Sequence, residues 1–125
     1  MLEESLKITY ENGTAFLEFE GEVTFENSNR LKEEAKKQLS KKENLGNLIF
    51  DLSQVSYLDS SGVGVIFSLF KFMRLKDGTL AVVNPNDKID RVFEVTKMKE
   101  IIPVYETIEE TYRFNISPNA DKIGD

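Results

Sequence analysis

The sequence contains no cysteine and no histidine among its 125 residues. Without cysteine there is no disulfide framework, thiol nucleophile or cysteine-ligated metal, and such usage suits a reducing cytoplasm. Without histidine no Ser-His-Asp or Cys-His catalytic arrangement can be built, and metal-assisted hydrolysis lacks its imidazole ligands. We therefore expect a protein that is not an enzyme and that holds neither a metal nor a cofactor.

Long apolar runs are also missing. The longest, residues 63–73, is interrupted by Ser68 and Lys71 and is too short to span a bilayer. Residues 1–5 are acidic and lack the apolar core of a secretion signal. We expect a soluble protein of the cytoplasm.

The charge balance and composition narrow the class further. Sixteen basic and 22 acidic residues give a net charge of -6, which repels nucleic acid and anionic membranes, so we expect neither as a partner. A hydrophobic fraction of 40% with only 7 glycines and 3 prolines is typical of a globular chain. The length suits one domain, which we place at residues 1–114, followed by a flexible tail at 115–125.

The first part of the chain predicts a β-hairpin and a helix. Residues 6–10 and 15–19 alternate apolar and polar side chains on either side of Asn12-Gly13, which is a strong hairpin signal. Residues 26–39 have helical spacing. The apolar positions four residues apart on this helix are Leu31, Ala35 and Leu39.

The rest of the chain alternates strands and helices. Residues 48–52 are almost wholly apolar, which predicts a central strand buried on both faces. The elements expected after it are a helix from near Ser60, a strand at 79–83, a helix opened by 84–87, a short strand at 101–105 and a helix with a capping box from Thr107. Pro103 favours an edge position for the last strand. The order ββαβαβαβα predicts an α/β domain with a mixed sheet.

Residues 57–65 join the central strand region to the second helix with the sequence Tyr-Leu-Asp-Ser-Ser-Gly-Val-Gly-Val. The start of a helix has unpaired backbone N–H groups and a partial positive charge, so it favours a phosphate placed there. A serine in this position is also a common N-cap. From the residues alone, a capping serine and a phosphorylated serine both remain open.

Two segments carry a family resemblance. Gly21-Glu22-Val23 and residues 47–65, which include Asp59-Ser60-Ser61-Gly62-Val63-Gly64, resemble the bacterial anti-sigma factor antagonists, which have the STAS domain fold. The resemblance covers roughly residues 6–114. It implies that the chain binds an anti-sigma factor with serine kinase activity and so releases a sigma factor. It also implies that this kinase phosphorylates Ser60, that phosphorylation ends binding, and that a PP2C-type phosphatase restores the serine.

The surface around Ser60 is then the expected partner-binding site. Its expected members are Thr24, Asp59, Ser61, Gly62, Val63 and Ile66. We expect Ser61 to cap the helix, and Val63 and Ile66 to contact the partner, the alternative for these two being the core. Thr24 stands where family members often carry aspartate, and its alternative role is to cap the first helix.

Two other functions stay open. The chain could be a non-switching STAS scaffold subunit of a stress-signalling complex, with Ser60 acting only as a cap. It could instead be a phosphoaspartate receiver with Asp51 or Asp59 as acceptor, although the first strand lacks the acidic pair that would hold magnesium. A dinucleotide loop is disfavoured because Phe67 occupies the third glycine position.

Overall fold

A five-stranded mixed sheet organises the residues that the computed structural model describes, 5–113. The elements in chain order are β1 (Leu6–Glu11), β2 (Thr14–Phe19), β3 (Gly21–Val23), α1 (Ser28–Leu39), β4 (Asn47–Asp51), β5 (Val55–Leu58), α2 (Ser60–Leu75), β6 (Thr79–Val83), α3 (Asp87–Val95), a 3₁₀ turn (Met98–Glu100), β7 (Val104–Tyr105) and α4 (Ile108–Arg113). The strand order is β1-β2-β4-β6-β7, in which only the β1–β2 pair is antiparallel. This confirms the predicted α/β class and the opening hairpin.

The hairpin turn has the geometry that its sequence predicts. Asn12 and Gly13 both have positive φ, at 51° and 82°, and the register closes on Glu11 opposite Thr14. Asparagine and glycine tolerate this left-handed region best, and two such residues in succession match the twist of the flanking strands. The turn therefore sets the register of β1 against β2.

The hydrophobic core is formed by the sheet together with the buried faces of helices α1, α2 and α3. Every residue of β4 is buried, as expected for a strand with parallel neighbours on both sides. The three apolar positions predicted on α1, Leu31, Ala35 and Leu39, are fully buried. In the described part of the chain, no helix combines the length and apolar character needed to cross a bilayer.

Two short strands were not predicted. β3 and β5 form a separate two-stranded parallel ribbon, in which Val23 pairs with Leu58. With three and four residues they are too short to show a period-2 pattern, and their pairing depends on the tertiary fold. The helix expected from residue 26 begins at Ser28 because residues 25–27 form a turn.

The strand expected at 101–105 is shorter than predicted, because the N–H groups of Ile101 and Ile102 bond back to Met98 O at 3.0 and 2.9 Å and only Val104–Tyr105 pairs with the sheet. β7 lies at the sheet edge, and Pro103 immediately precedes it. The capping box is present, because Glu110 N–H donates to Thr107 Oγ1 at 3.3 Å and Thr107 N–H donates to Glu110 Oε1 at 3.2 Å. The end of the predicted domain and the tail expected at 115–125 lie outside the described residues.

Asn86 connects α3 to the ribbon. Its side-chain oxygen caps α3 by accepting the Ile89 N–H at 2.9 Å. Its amide nitrogen donates to the carbonyl oxygens of Val55 at 3.4 Å and Ser56 at 3.2 Å, both on β5. One side chain thus joins a helix start to the strand that leads into the 57–65 motif.

We predict that Asn86→Ala lowers the free energy of unfolding by about 2 kcal/mol. Loss of an N-cap costs typically about 1 kcal/mol, and the two hydrogen bonds to β5 add a similar amount. Asn86→Ser is the matched control, since it keeps a capping oxygen but has no amide to reach β5, and it should lose about half as much. Urea denaturation measures both, and equal stability of the alanine variant and the wild type would contradict the prediction.

Candidate functional site

The β3–β5 ribbon brings the two sequence segments of the motif together. Val23 and Leu58 are its last paired residues, and both are buried. Asp59, the residue immediately after β5, donates its backbone N–H to Val23 O at 3.2 Å. Thr24 and Asp59 therefore both lie at the end of the ribbon where α2 begins.

Asp59 is the N-cap of α2. Its backbone is extended, with φ -99° and ψ -170°, and its Oδ1 accepts the N–H groups of Ser61 at 2.8 Å and Gly62 at 3.3 Å. A carboxylate in this position also interacts favourably with the helix dipole. The expectation that Ser61 caps the helix is wrong, because Ser61 lies inside the first turn and donates to the cap.

Ser60 is the first residue of α2, and it is exposed. It follows the capping carboxylate directly, and Ser61 beside it is only half-buried. The N–H groups of Ser61 and Gly62, which a phosphate could otherwise use, already bind Asp59. A phosphate on Ser60 would therefore compete with the Asp59 carboxylate for the helix terminus.

The two glycines of the motif differ in what surrounds them. A Cβ added at Gly62 would collide with Leu58 Cγ and lie 3.0 Å from both Leu58 Cδ atoms. A Cβ at Gly64 would meet nothing within 4 Å, and Gly64 is exposed. Gly62 allows close packing of α2 on β5, while Gly64 leaves the outer face of the first turns bare.

Val63 and Ile66 belong to the core. Val63 is 5% exposed and Ile66 is 0% exposed, on the side of α2 that faces the sheet. Their side chains are out of reach of a partner that docks on this surface. The expectation that Val63 and Ile66 contact the partner is therefore wrong, and the alternative, a place in the core, is confirmed.

Thr24 opens a closely hydrogen-bonded turn before α1. Its hydroxyl accepts the Glu26 N–H at 3.3 Å, and its carbonyl accepts the N–H groups of Asn27 at 3.2 Å and Ser28 at 2.8 Å. The N-cap of α1 is Asn27, so Thr24 is not the cap that the sequence suggested. Thr24 is half-buried and shapes the turn that leads into the helix.

An open groove separates the starts of α1 and α2. It has a volume of about 300 Å³ and is lined by Ser28, Asn29, Lys32, Ser61, Gly64, Val65 and Ser68. Most of these side chains are small and polar, and Lys32 is the one basic group among them. The groove extends the surface beside Ser60, with Ser61 and Gly64 on its α2 wall.

The carboxylate of Asp51 does not have the setting of a phosphoaspartate acceptor. Asp51 is 8% exposed, and its Oδ1 accepts the Ser53 N–H at 2.9 Å and the Asn84 Nδ2 at 3.0 Å. Within residues 5–113, no group of three or more acidic side chains could hold a metal ion. The geometry gives the receiver alternative no support.

A family model described as the STAS domain matches residues 5–111. The chain belongs to the STAS domain family. The matched range includes the ribbon, the Asp59 cap and all of α2, so the segment expected to carry the function lies within the family's own fold.

A curated relative of this STAS domain is the anti-sigma-B factor antagonist of Listeria monocytogenes. The two are 39% identical over 57 residues, which cover 46% of this chain and 50% of the relative. The chain spans about half the length of the curated relatives it matches.

Solved structures extend the likeness over the whole fold. A Thermotoga maritima protein provisionally named an anti-sigma factor antagonist has a TM-score of 0.78 at 28% identity, covering 86% of this chain and 92% of that chain. The anti-sigma factor antagonist SpoIIAA of Bacillus, in its unphosphorylated form, has a TM-score of 0.71 at 18% identity with the same coverage. At this lower identity the likeness concerns the fold alone.

Two exposed aromatic side chains of this STAS domain, one in the turn before α1 and one at the start of the 57–65 motif, were not predicted as site residues from the sequence. Phe25, in the turn after β3, is 75% exposed, and Tyr57, on β5, is 46% exposed. One signal was available, because Phe25 stands alone among the polar residues Thr24, Glu26 and Asn27, where no core position is expected. This isolation argues against a core position for Phe25.

We predict opposite effects for alanine at the two glycines. Gly62→Ala should lower the free energy of unfolding by about 1–3 kcal/mol, since its Cβ strikes Leu58. Gly64→Ala should leave stability unchanged or raise it by up to about 1 kcal/mol, because alanine is the better helix former and has open space here. The two variants make the same change in the same helix, so each is a control for the other. Urea denaturation measures both, and equal changes in their free energies of unfolding would refute the packing argument.

Proposed function

We propose that this STAS domain is a bacterial anti-sigma factor antagonist, a regulatory binding protein of the cytoplasm and not an enzyme. It binds an anti-sigma factor with serine kinase activity, and phosphorylation of Ser60 ends that binding. The observation that carries the proposal is the exposed Ser60 at the start of α2, directly after the capping Asp59. The names of the relatives support the antagonist role.

The partners follow from this role. When the antagonist binds the anti-sigma factor, the anti-sigma factor releases its sigma factor. A PP2C-type phosphatase removes the phosphate from Ser60 and so restores the form that binds. The surface offered to the partner consists of Thr24, Asp59, Ser60, Ser61 and the backbone of the first turn of α2. Gly64 leaves that turn open to close approach of another chain.

The local electrostatics support a switch at Ser60. A phosphate adds a charge of about -1.5 to -2, and here it would lie beside Asp59, whose carboxylate already occupies two N–H groups of the helix terminus. The added charge therefore faces outward into the partner surface. A loss of about 3 kcal/mol there would weaken binding more than hundredfold, at about 1.4 kcal/mol per decade.

A relative's structures are consistent with a switch that leaves the fold intact. SpoIIAA has been solved in an unphosphorylated and in a phosphorylated form, and these have TM-scores of 0.71 and 0.63 to this chain. Both forms of that protein share the fold described above. For the present chain this supports a local change at the surface rather than a refolded domain.

We predict that the anti-sigma factor kinase of the source bacterium transfers one phosphate from ATP to Ser60. Ser60 is exposed and Ser61 is half-buried, so the kinase should discriminate between them. Mass spectrometry of the intact protein and its peptides locates the phosphate. Ser60→Ala should abolish the modification and Ser61→Ala should retain it, whereas phosphate on Ser61, or none at all, would reject Ser60 as the switch.

We predict that Ser60→Asp weakens binding of the anti-sigma factor at least tenfold while the thermal unfolding midpoint stays nearly unchanged. The new carboxylate adds charge at an exposed position, and an acidic residue in the first turn of a helix is tolerated. Ser60→Asn is the matched control of similar size without charge. Calorimetric titration that found equal affinities for the Asp and Asn variants would exclude an electrostatic mechanism.

A further inference from the structure

Phe25 is an exposed aromatic side chain held in a rigid turn. The Thr24 N–H donates to Asn27 Oδ1 at 2.9 Å, and Asn27 Nδ2 donates to Glu22 O at 2.8 Å. With the bonds from Glu26, Asn27 and Ser28 to Thr24, the backbone on both sides of Phe25 is fixed. The side chain nevertheless remains 75% exposed, so the turn presents an apolar ring to solvent.

The turn lies close to Ser60. Asp59 N–H is 3.2 Å from Val23 O, and Phe25 is two residues beyond Val23 while Ser60 is one beyond Asp59. Consecutive Cα atoms are about 3.8 Å apart, so the three residue steps and this hydrogen bond keep the Cα atoms of Phe25 and Ser60 within roughly 18 Å. A typical partner covers about 800 Å² on each protein, a patch of roughly 16 Å radius, so the turn lies at or inside the edge of the surface that a protein centred on Ser60 covers.

The ribbon and the turn carry further exposed side chains. Tyr57, 46% exposed, pairs in the ribbon with Glu22, and both side chains face solvent. Glu22 and Glu26 are exposed acidic residues on either side of the turn. Aromatic side chains surrounded by polar groups are typical anchors of protein interfaces.

We propose that Phe25 is an apolar anchor for the anti-sigma factor kinase and inserts into an apolar pocket rimmed by basic side chains on that partner. The inference rests on the proposed function, since the kinase must reach Ser60 and its contact surface then extends to the turn. It goes further by assigning a specificity-determining role to a residue outside the 57–65 motif. Affinity then depends on the turn, while the phosphorylation state of Ser60 regulates it.

Leu75 provides a matched control. It is 88% exposed, and it ends the 16-residue helix that Ser60 begins. At about 1.5 Å per residue it lies roughly 22 Å from Ser60, outside a patch of roughly 16 Å radius. Truncating it removes a similar apolar surface from a region that the docked kinase does not reach.

The experiment measures binding of the purified anti-sigma factor kinase by the unphosphorylated full chain and its variants. Phe25→Ala should weaken binding ten- to hundredfold, Phe25→Leu should recover most of the loss, and Leu75→Ala should bind like wild type. Thermal unfolding of all variants should match wild type, since both side chains are exposed. These results together support the anchor.

The outcomes separate the inference from the proposed function. If wild type binds the kinase and Phe25→Ala binds equally well, the anchor is rejected and the proposed function stands. An equal loss for Phe25→Ala and Leu75→Ala also rejects the anchor, because it indicates a nonspecific effect of removing apolar surface. If unphosphorylated wild type does not bind, the proposed function fails and the inference fails with it.

Discussion

Asp59 holds the start of α2 at the end of the β3–β5 ribbon, and the arrangement of the site depends on it. Its backbone N–H bonds to Val23 and its Oδ1 caps the helix. Gly62 then lets the first turn pack against Leu58 at a distance that no larger residue permits. The backbone on both sides of Ser60 is thus hydrogen-bonded, while Ser60 itself is exposed.

The capping of α2 by Asp59 also determines which groups are available to stabilise a phosphate on Ser60. A helix terminus with unpaired N–H groups could absorb a phosphate within the domain. Here two of those groups bind Asp59, and the charge of a phosphate would add to that of the carboxylate. Repulsion is then strongest at the surface, which suits a site that regulates contact with another protein rather than the stability of its own fold.

The main elements of the fold were predictable because their signals are local. Asn12-Gly13 specifies the hairpin turn, the spacing of Leu31, Ala35 and Leu39 specifies a helix face, and Pro103 indicates an edge. The ribbon was missed because strands as short as β3 and β5 form through contacts made elsewhere in the fold. Asp59 and Ser61 are both good N-cap residues, so only the extended backbone at Asp59 decides between them.

The burial of Val63 and Ile66 has a consequence for how such a domain distinguishes its partners. Since the apolar side chains of the motif's helix form the core, the motif offers a partner mainly a hydroxyl, a carboxylate and bare backbone. Those groups suit the transfer of a phosphate, but they provide little apolar area for affinity. Under the proposed function, discrimination between partners would then come from side chains around the motif, among them the exposed Phe25 of the turn before α1.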